Sequence, residues 1–309
     1  MTQEKDCLDL SNKSVEEILE LVALAEAYEA GQKPKALNKD VKVANLFFEN
    51  STRTVTSFQM AEHNLGLSRF DVNLAASSVK KGETLSDTLK TVEAIGMDIA
   101  VVRHSEDGWF DQVKQEGVKL ALVNAGDGAG VHPSQTMLDL LTIKQEFGRF
   151  KGLKVMMVGD LSHSRVVNSD AHVFKKLGMG LTFAGPKEWW NDDLKHYGKY
   201  VELDDGIKEA DVVMCLRVQN ERLDDKEASS FSAEDYIKHY SVNEARAAMM
   251  KPTAIFMHPG PVNRDIEIES ALVDGARSRI FKQMKNGVFA RMALLTKVLE
   301  ANEWMEDEA

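Results

Sequence analysis

The chain of 309 residues holds only two cysteines, Cys7 and Cys215, far apart and without CxxC spacing. That count excludes a disulfide framework and a cysteine-based zinc site, and it sets the expectation of a reducing, cytoplasmic setting. Positive charge is also in short supply. Lys and Arg number 38 against 49 Asp and Glu, for a formal net charge of -11. Binding a phosphate backbone needs a net basic face, so no nucleic-acid partner is expected. An anionic small substrate stays compatible if cations concentrate locally. No run approaches the ~18 apolar residues of a membrane span, so no membrane partner is expected either. The opening MTQEKDCLDL lacks a basic stretch followed by an apolar one, and secretion is not expected. Internal repeats and low-complexity tracts are missing as well.

What is present is 43% hydrophobic residues and 28% charged ones, enough for more than one core. Ser14-Val15-Glu16-Glu17 reads as a capping box, and Gly31 falls where that amphipathic helix should end. Apolar, β-rich runs come next at 41–48, 68–72, 98–103 and 119–124, with helical patterns at 52–65, 84–95 and 107–116. A helix from Pro133 to Phe147 starts with proline at its first position. After Gly148-Arg149-Phe150-Lys151-Gly152 the alternation restarts, with strands expected near 154–159, 180–184, 199–203, 211–218 and 253–258. The last pattern, 277–301, is helical. These spacings predict two α/β domains with parallel sheets and a cleft between them, residues 1–149 and 150–309, the C-terminal helix packing back on the first. Ligands in such folds bind beyond the carboxyl ends of the strands.

Several stretches put polar or cationic groups just past an apolar strand. In FFENSTRTVTSF, Ser51, Thr52, Arg53 and Thr54 stand at the mouth of a helix. Unpaired N–H groups and the dipole there attract anions, the hydroxyls add donors, and the Arg53 fork suits phosphate oxygens. The same pattern also describes an ordinary Ser/Thr N-cap beside a surface arginine. Arg103 ends the strand of IAVVRHSEDG, where it is either a ligand group or a surface cation, and His104 beside it reads as surface. In NAGDGAGVHPSQTMLDL a glycine-rich loop leads to His132 at the helix cap and Gln135 in its first turn. His132 is there either to face a developing oxyanion or simply to cap the helix. GDLSHSR has one glycine where a dinucleotide fold has three, which disfavours that cofactor, and Arg165 opens the next helix. CLRVQNER sets Arg217 and Gln219 at a strand end, on one side if the chain is extended, and HPGPVNR ends another strand in a rigid turn. Four strand-end arginines, a histidine and a hydroxyl-rich helix mouth on an acidic chain argue for a polyanionic substrate pair, one of them a phosphate.

These motifs resemble the aspartate/ornithine carbamoyltransferase family. The match lies in S-T-R-T at 51–54, KKGETLSDT at 80–88, NAGDG with HPSQ and LDL, GDLSHSR, R-V-Q at 217–219, HPGP in place of the H-C-L-P of ornithine enzymes, and NGVFARMALL near the end. Within the family the pattern looks like the catalytic chains that use aspartate in pyrimidine biosynthesis. The resemblance implies a carbamoyl-phosphate-binding first domain and an aspartate-binding second one. Arg53 and the N–H groups around it, with Ser51 and Thr52, would hold the phosphate. Thr54, Arg103 and His132 would polarise the carbamoyl carbonyl. Gln135 and the backbone from Pro259 through Gly260 to Pro261 would hold the carbamoyl amide. Arg165, Arg217 and Gln219 would grip the aspartate carboxylates. Ser77 or Ser78, with Lys81, would reach a neighbouring subunit's site in a homotrimer with shared active sites. HPGPVNR is longer than the family's H-P-L-P-R form, which leaves Arg264 without an assigned part. A regulatory chain or a further pathway enzyme would be a separate partner.

The chemistry asks for positioning and oxyanion donors, with no metal or cofactor. Two other readings share these residues. One is a carbamoyltransferase for another amine such as ornithine, against which Arg217 and Gln219 count, since they suit a carboxylate. The other is a non-catalytic dicarboxylate or phosphate receptor.

Overall fold

The computed structural model describes residues 5–72, 82–218 and 233–306. The chain divides into two compact units, Met1–Leu141 with Met284–Ala309, and Thr142–Gln283. The first begins with α1 (Val15–Glu29) and continues through β1 (Lys42–Phe47), α2 (Thr52–Asn64), β2 (Ser68–Asp71), α3 (Leu85–Ile95), β3 (Ile99–His104), α4 (Trp109–Gln115) and β4 (Ala121–Asp127). Helix α5 (Pro133–Phe147) carries the chain out of this unit.

The capping box forms as the sequence predicts. The Glu17 N–H donates to the Ser14 hydroxyl at 3.1 Å and the Ser14 N–H donates to the Glu17 carboxylate at 2.7 Å. Gly31 lies just past the end of α1 and takes a left-handed φ of 95°, which only glycine adopts without strain. All strand pairs in the first sheet are parallel, in the order β2-β1-β3-β4. Leu46, Ala100, Val102 and Leu122 bury their side chains against Leu89 and Val92 of α3 and Trp109 and Val113 of α4. Each fully buried leucine or valine of this kind contributes about 1.5–3 kcal/mol, which is how short apolar runs hold a parallel sheet covered by helices. Strand β4 runs on to Asp127, so the first half of the expected glycine-rich loop is strand instead.

The second unit comprises β5 (Lys154–Val158), α6 (Arg165–Lys176), β6 (Gly180–Ala184), β7 (Gly198–Tyr200), α7 (Leu203–Glu209), β8 (Val212–Cys215), α8 (Ala233–Tyr240), α9 (Glu244–Met249), β9 (Ile255–Met257) and α10 (Ser270–Val273). Its parallel sheet has the order β7-β6-β5-β8-β9. Helix α11 (Ile280–Ala301) returns the chain to the first unit. Strand β8 is shorter than the run 211–218 suggests, since it pairs β5 only to Cys215 and β9 only to Met214. Arg217 therefore lies in the loop past the strand. Beyond β5, Gly159 has a φ of 131°, and a Cβ there would stand 2.8 Å from the Leu216 carbonyl oxygen. The glycine of GDLSHSR lets the ends of two neighbouring strands approach each other.

Among the described residues no helix is long and apolar enough to cross a membrane, and no group of three or more His, Cys, Asp or Glu side chains is arranged to hold a metal.

Candidate active site

In the first unit, sheet order brings three of the sequence motifs together. Ser51 to Thr54 follow β1, Arg103 lies near the end of β3, and the segment leading to His132 follows β4. Strands β1, β3 and β4 are successive neighbours, so these carboxyl-end segments share one edge. Phe47 pairs with Arg103 in register, and the Phe48 N–H donates to the Arg103 carbonyl at 2.9 Å. The Arg103 guanidinium sits 3.2 Å from the Glu49 carboxylate and donates to the Ala125 carbonyl at 3.3 Å. Glu49 and the end of β4 thus hold the side chain at the sheet edge. His104 is not the surface residue the sequence suggested. Its ring packs edge-on against Phe48 with centroids 5.0 Å apart, and burial pushes its imidazole below the usual range.

Ser51 precedes α2 but makes no side-chain cap hydrogen bond. The ordinary capping role for that hydroxyl is therefore not the one it fills here. Thr52 and Arg53 are exposed at the helix mouth and Thr54, in the same first turn, is buried. The positive end of a helix and a guanidinium both attract negative charge.

His132 stands before Pro133 and is buried, with its carbonyl accepting from the Gln135 N–H at 2.9 Å. The loop that delivers it is built on Asp127, whose carboxylate accepts the N–H of Gly108 at 3.0 Å and that of Val131. Gln135 is also buried, and its Nε2 donates to both oxygens of the Asp139 carboxylate at 3.1 and 3.2 Å. A carboxylate only accepts, so this contact fixes the amide flip and leaves Oε1 as the acceptor for another partner. Arg291, on the part of α11 in this unit, is buried with its guanidinium over the Phe58 ring at 5.0 Å. Burial, helped by the charge of Arg103 and opposed by Asp139, lowers the Arg291 guanidinium to about 9, still cationic at neutral pH.

The second unit repeats this arrangement. GDLSHSR follows β5, Arg217 follows β8, and the turn His258–Pro261 follows β9, on three adjacent strands. Arg165 is buried at the first turn of α6. Asp160, fully buried, accepts from the His163 N–H at 3.0 Å and lies 2.9 Å from its Nδ1, which pins the loop between strand and helix. Arg217 is half-buried. Gly260 and Pro261 are joined by a cis peptide bond. Arg264 is committed elsewhere: both of its terminal nitrogens bind the Asp274 carboxylate, at 2.7 and 3.0 Å.

Lys81, Gln219, Ser77 and Ser78 lie outside the described residues. Half-buried Glu49 and the buried Asp139, Glu267 and Arg291 were not singled out from the sequence. Nothing local marks them, since each stands among residues of ordinary helix or loop composition.

Two family models match the chain in succession. Residues 5–145 match the family model described as aspartate/ornithine carbamoyltransferase, carbamoyl-P binding domain, and residues 151–298 match the Asp/Orn binding domain of that family. The aspartate carbamoyltransferase catalytic subunit of Leuconostoc mesenteroides is 50% identical over 298 residues, covering 96% of this chain and 100% of that protein. The corresponding subunit of Pediococcus pentosaceus is 49% identical over 296 residues, 96% of each. Among solved structures, aspartate transcarbamoylase from Trypanosoma cruzi in complex with carbamoyl phosphate aligns with a TM-score of 0.86 at 30% identity, covering 96% of each chain.

Proposed function

The chain belongs to the aspartate/ornithine carbamoyltransferase family, and from that premise we propose that it transfers the carbamoyl group of carbamoyl phosphate to the amino group of L-aspartate, giving N-carbamoyl-L-aspartate and phosphate for pyrimidine biosynthesis. The observation that carries this reading is the near-50% identity, over 96% of the chain, to proteins named as catalytic subunits for aspartate. The C–N bond forms as the aspartate amine attacks the carbamoyl carbon, and the bond from that carbon to the phosphate oxygen breaks. The proton lost by the amine goes to the departing phosphate, so the protein itself need supply no base.

The first unit takes carbamoyl phosphate. Arg53, with Ser51, Thr52 and the first N–H groups of α2, holds the phosphate by charge-assisted hydrogen bonds. Thr54, Arg103 and His132 donate to the carbonyl oxygen as it gains charge, a contribution of several kcal/mol in a water-poor site. Gln135, with Oε1 left as its acceptor, suits the carbamoyl NH₂, as do backbone groups at Gly260 and Pro261 of the second unit. Arg165, Arg217 and Gln219 take the two carboxylates of aspartate. Binding two charged substrates in reacting order lowers the entropic part of the barrier.

The working form is a homotrimer in the cytoplasm, in which Lys81 of one subunit completes the site of the next. Any regulatory chain is a separate polypeptide. The test is direct. The purified protein is given carbamoyl phosphate with aspartate or with ornithine, and the carbamoylated product is measured. Carbamoyl aspartate at a rate far above the ornithine product supports the reading. The reverse preference, or no product, refutes it.

A further inference from the structure

Glu267 is 1% exposed and lies in the second unit, after the turn beyond β9. Its carboxylate gathers donors from two separate segments. Oε1 accepts the Val218 N–H at 2.8 Å and the Asn263 Nδ2–H at 2.7 Å, and Oε2 accepts the Asn263 N–H at 2.6 Å. His258, also fully buried, brings its Nε2 to 3.4 Å from Oε2. The other ring nitrogen, Nδ1, accepts from the Gly260 N–H at 2.8 Å, so the ring hydrogen must sit on the Nε2 that faces the carboxylate. Glu267 is itself anchored: its carbonyl accepts from the Val242 N–H at 2.9 Å, and its N–H donates to the Asn263 carbonyl at 3.3 Å. The backbone N–H of His258 donates to the Gln283 side chain at 2.9 Å, which holds that residue from the other end.

One buried carboxylate therefore joins the residue after Arg217 to the turn holding Gly260 and Pro261. Buried anions are retained only where donors replace water, and three N–H groups with an imidazole at hand meet that need. Removing the charge leaves these donors buried and opposed, which is more costly than losing one contact. We propose that Glu267 is a positioning residue that fixes the Arg217 segment and the His258–Pro261 turn in one geometry, so that the carboxylate grip and the carbamoyl-amide contacts are set together. This rests on the functional reading above, since it assigns no substrate of its own.

The test uses Glu267→Gln in the full-length chain. Hydrogen exchange read on peptides spanning Val218 and Gly260–Asn263 needs no turnover. Protection should fall in both together, and a fall in only one, or in neither, overturns the coupling. In kinetics, the aspartate KM should rise about tenfold, the size of one lost charge-assisted hydrogen bond. Inorganic phosphate, bound by the first unit, should keep its Kd within about twofold. In an Arg217→Ala background the same substitution should add less than about twofold to the aspartate KM, because both changes act on one contact. A fully additive effect, or an unchanged KM in a normally melting variant, overturns the proposal. Asn263→Ala removes one donor with less disturbance and should give about a threefold rise in KM, deciding the matter if Glu267→Gln does not fold. If the wild-type protein forms no carbamoyl aspartate, the functional reading fails, while the exchange measurement still decides the coupling.

Discussion

Glu62 offers a quantitative check on the packing beneath the first unit's helix mouth. It lies on the buried face of α2 with no exposed surface, and its Oε2 accepts from the Asn45 Nδ2–H at 2.9 Å. Burial, with the charge of Asp71 adding to it and the Asn45 hydrogen bond opposing, raises its carboxyl from 4.5 to about 7. The folded state therefore keeps a proton that the unfolded chain gives up. Between pH 4.5 and 7 the unfolded state binds fewer protons, so stability falls as pH rises through that window and is flat above it. At about 1.36 kcal/mol per unit, the loss between pH 5 and 8 comes to roughly 2.5 kcal/mol. Glu62→Gln keeps the shape and an acceptor for Asn45 but cannot ionise. The margin of the variant over wild type should grow by roughly 2.5 kcal/mol from pH 5 to pH 8. Urea unfolding of both proteins at fixed concentration across that range reads the difference. Curves that stay parallel, the gap constant within about 0.5 kcal/mol, would show that Glu62 is solvated or compensated, and the reasoning would fail.

Three further outcomes bear on the proposed chemistry. Arg53→Ala removes a two-pronged phosphate donor from an exposed helix mouth, so turnover should drop on the order of 100-fold with the melting temperature nearly unchanged; near-normal turnover would remove the phosphate reading. Arg217→Ala should raise the aspartate KM far more than the carbamoyl phosphate KM, as steady-state kinetics with each substrate varied will show. Equal losses would mean that Arg217 serves structure or phosphate. Mixing inactive Lys81→Ala and Arg53→Ala chains by dissociation and reassociation should restore activity, because some mixed trimers hold one site with both residues intact. A dead mixture in which mixed trimers demonstrably form would refute the shared site.

Local sequence was enough to mark where most elements begin and which polar residues lie past each strand. Ser14 and Glu17 wrote the capping box, Pro133 set the first position of α5, and the apolar runs at 154–159 and 180–184 became β5 and β6. Those signals act between residues a few places apart, so local pattern carries them. The hydroxyls, arginines and histidine past the strands were legible for the same reason, as polar groups where a buried run stops. Which of them meet was set by the folded arrangement. The orders β1-β3-β4 and β5-β8-β9 put three motifs side by side in each unit, and no local property of a strand names its neighbour. Pairing also set strand length: the register of β8 ends at Cys215 against β5 and at Met214 against β9, so Arg217 is a loop residue. The short helices α7 to α10 lack the periodic length that marks a helix in sequence. Burial was decided in the same way. Glu62, Glu267 and Arg291 have side chains that a helix or loop normally gives to water, and each is enclosed by segments distant in the chain, such as Asn45, Val218 and Phe58. Charge is a property of the residue, but the water it loses is removed by whatever else folds against it, and that is known only once the chain has closed.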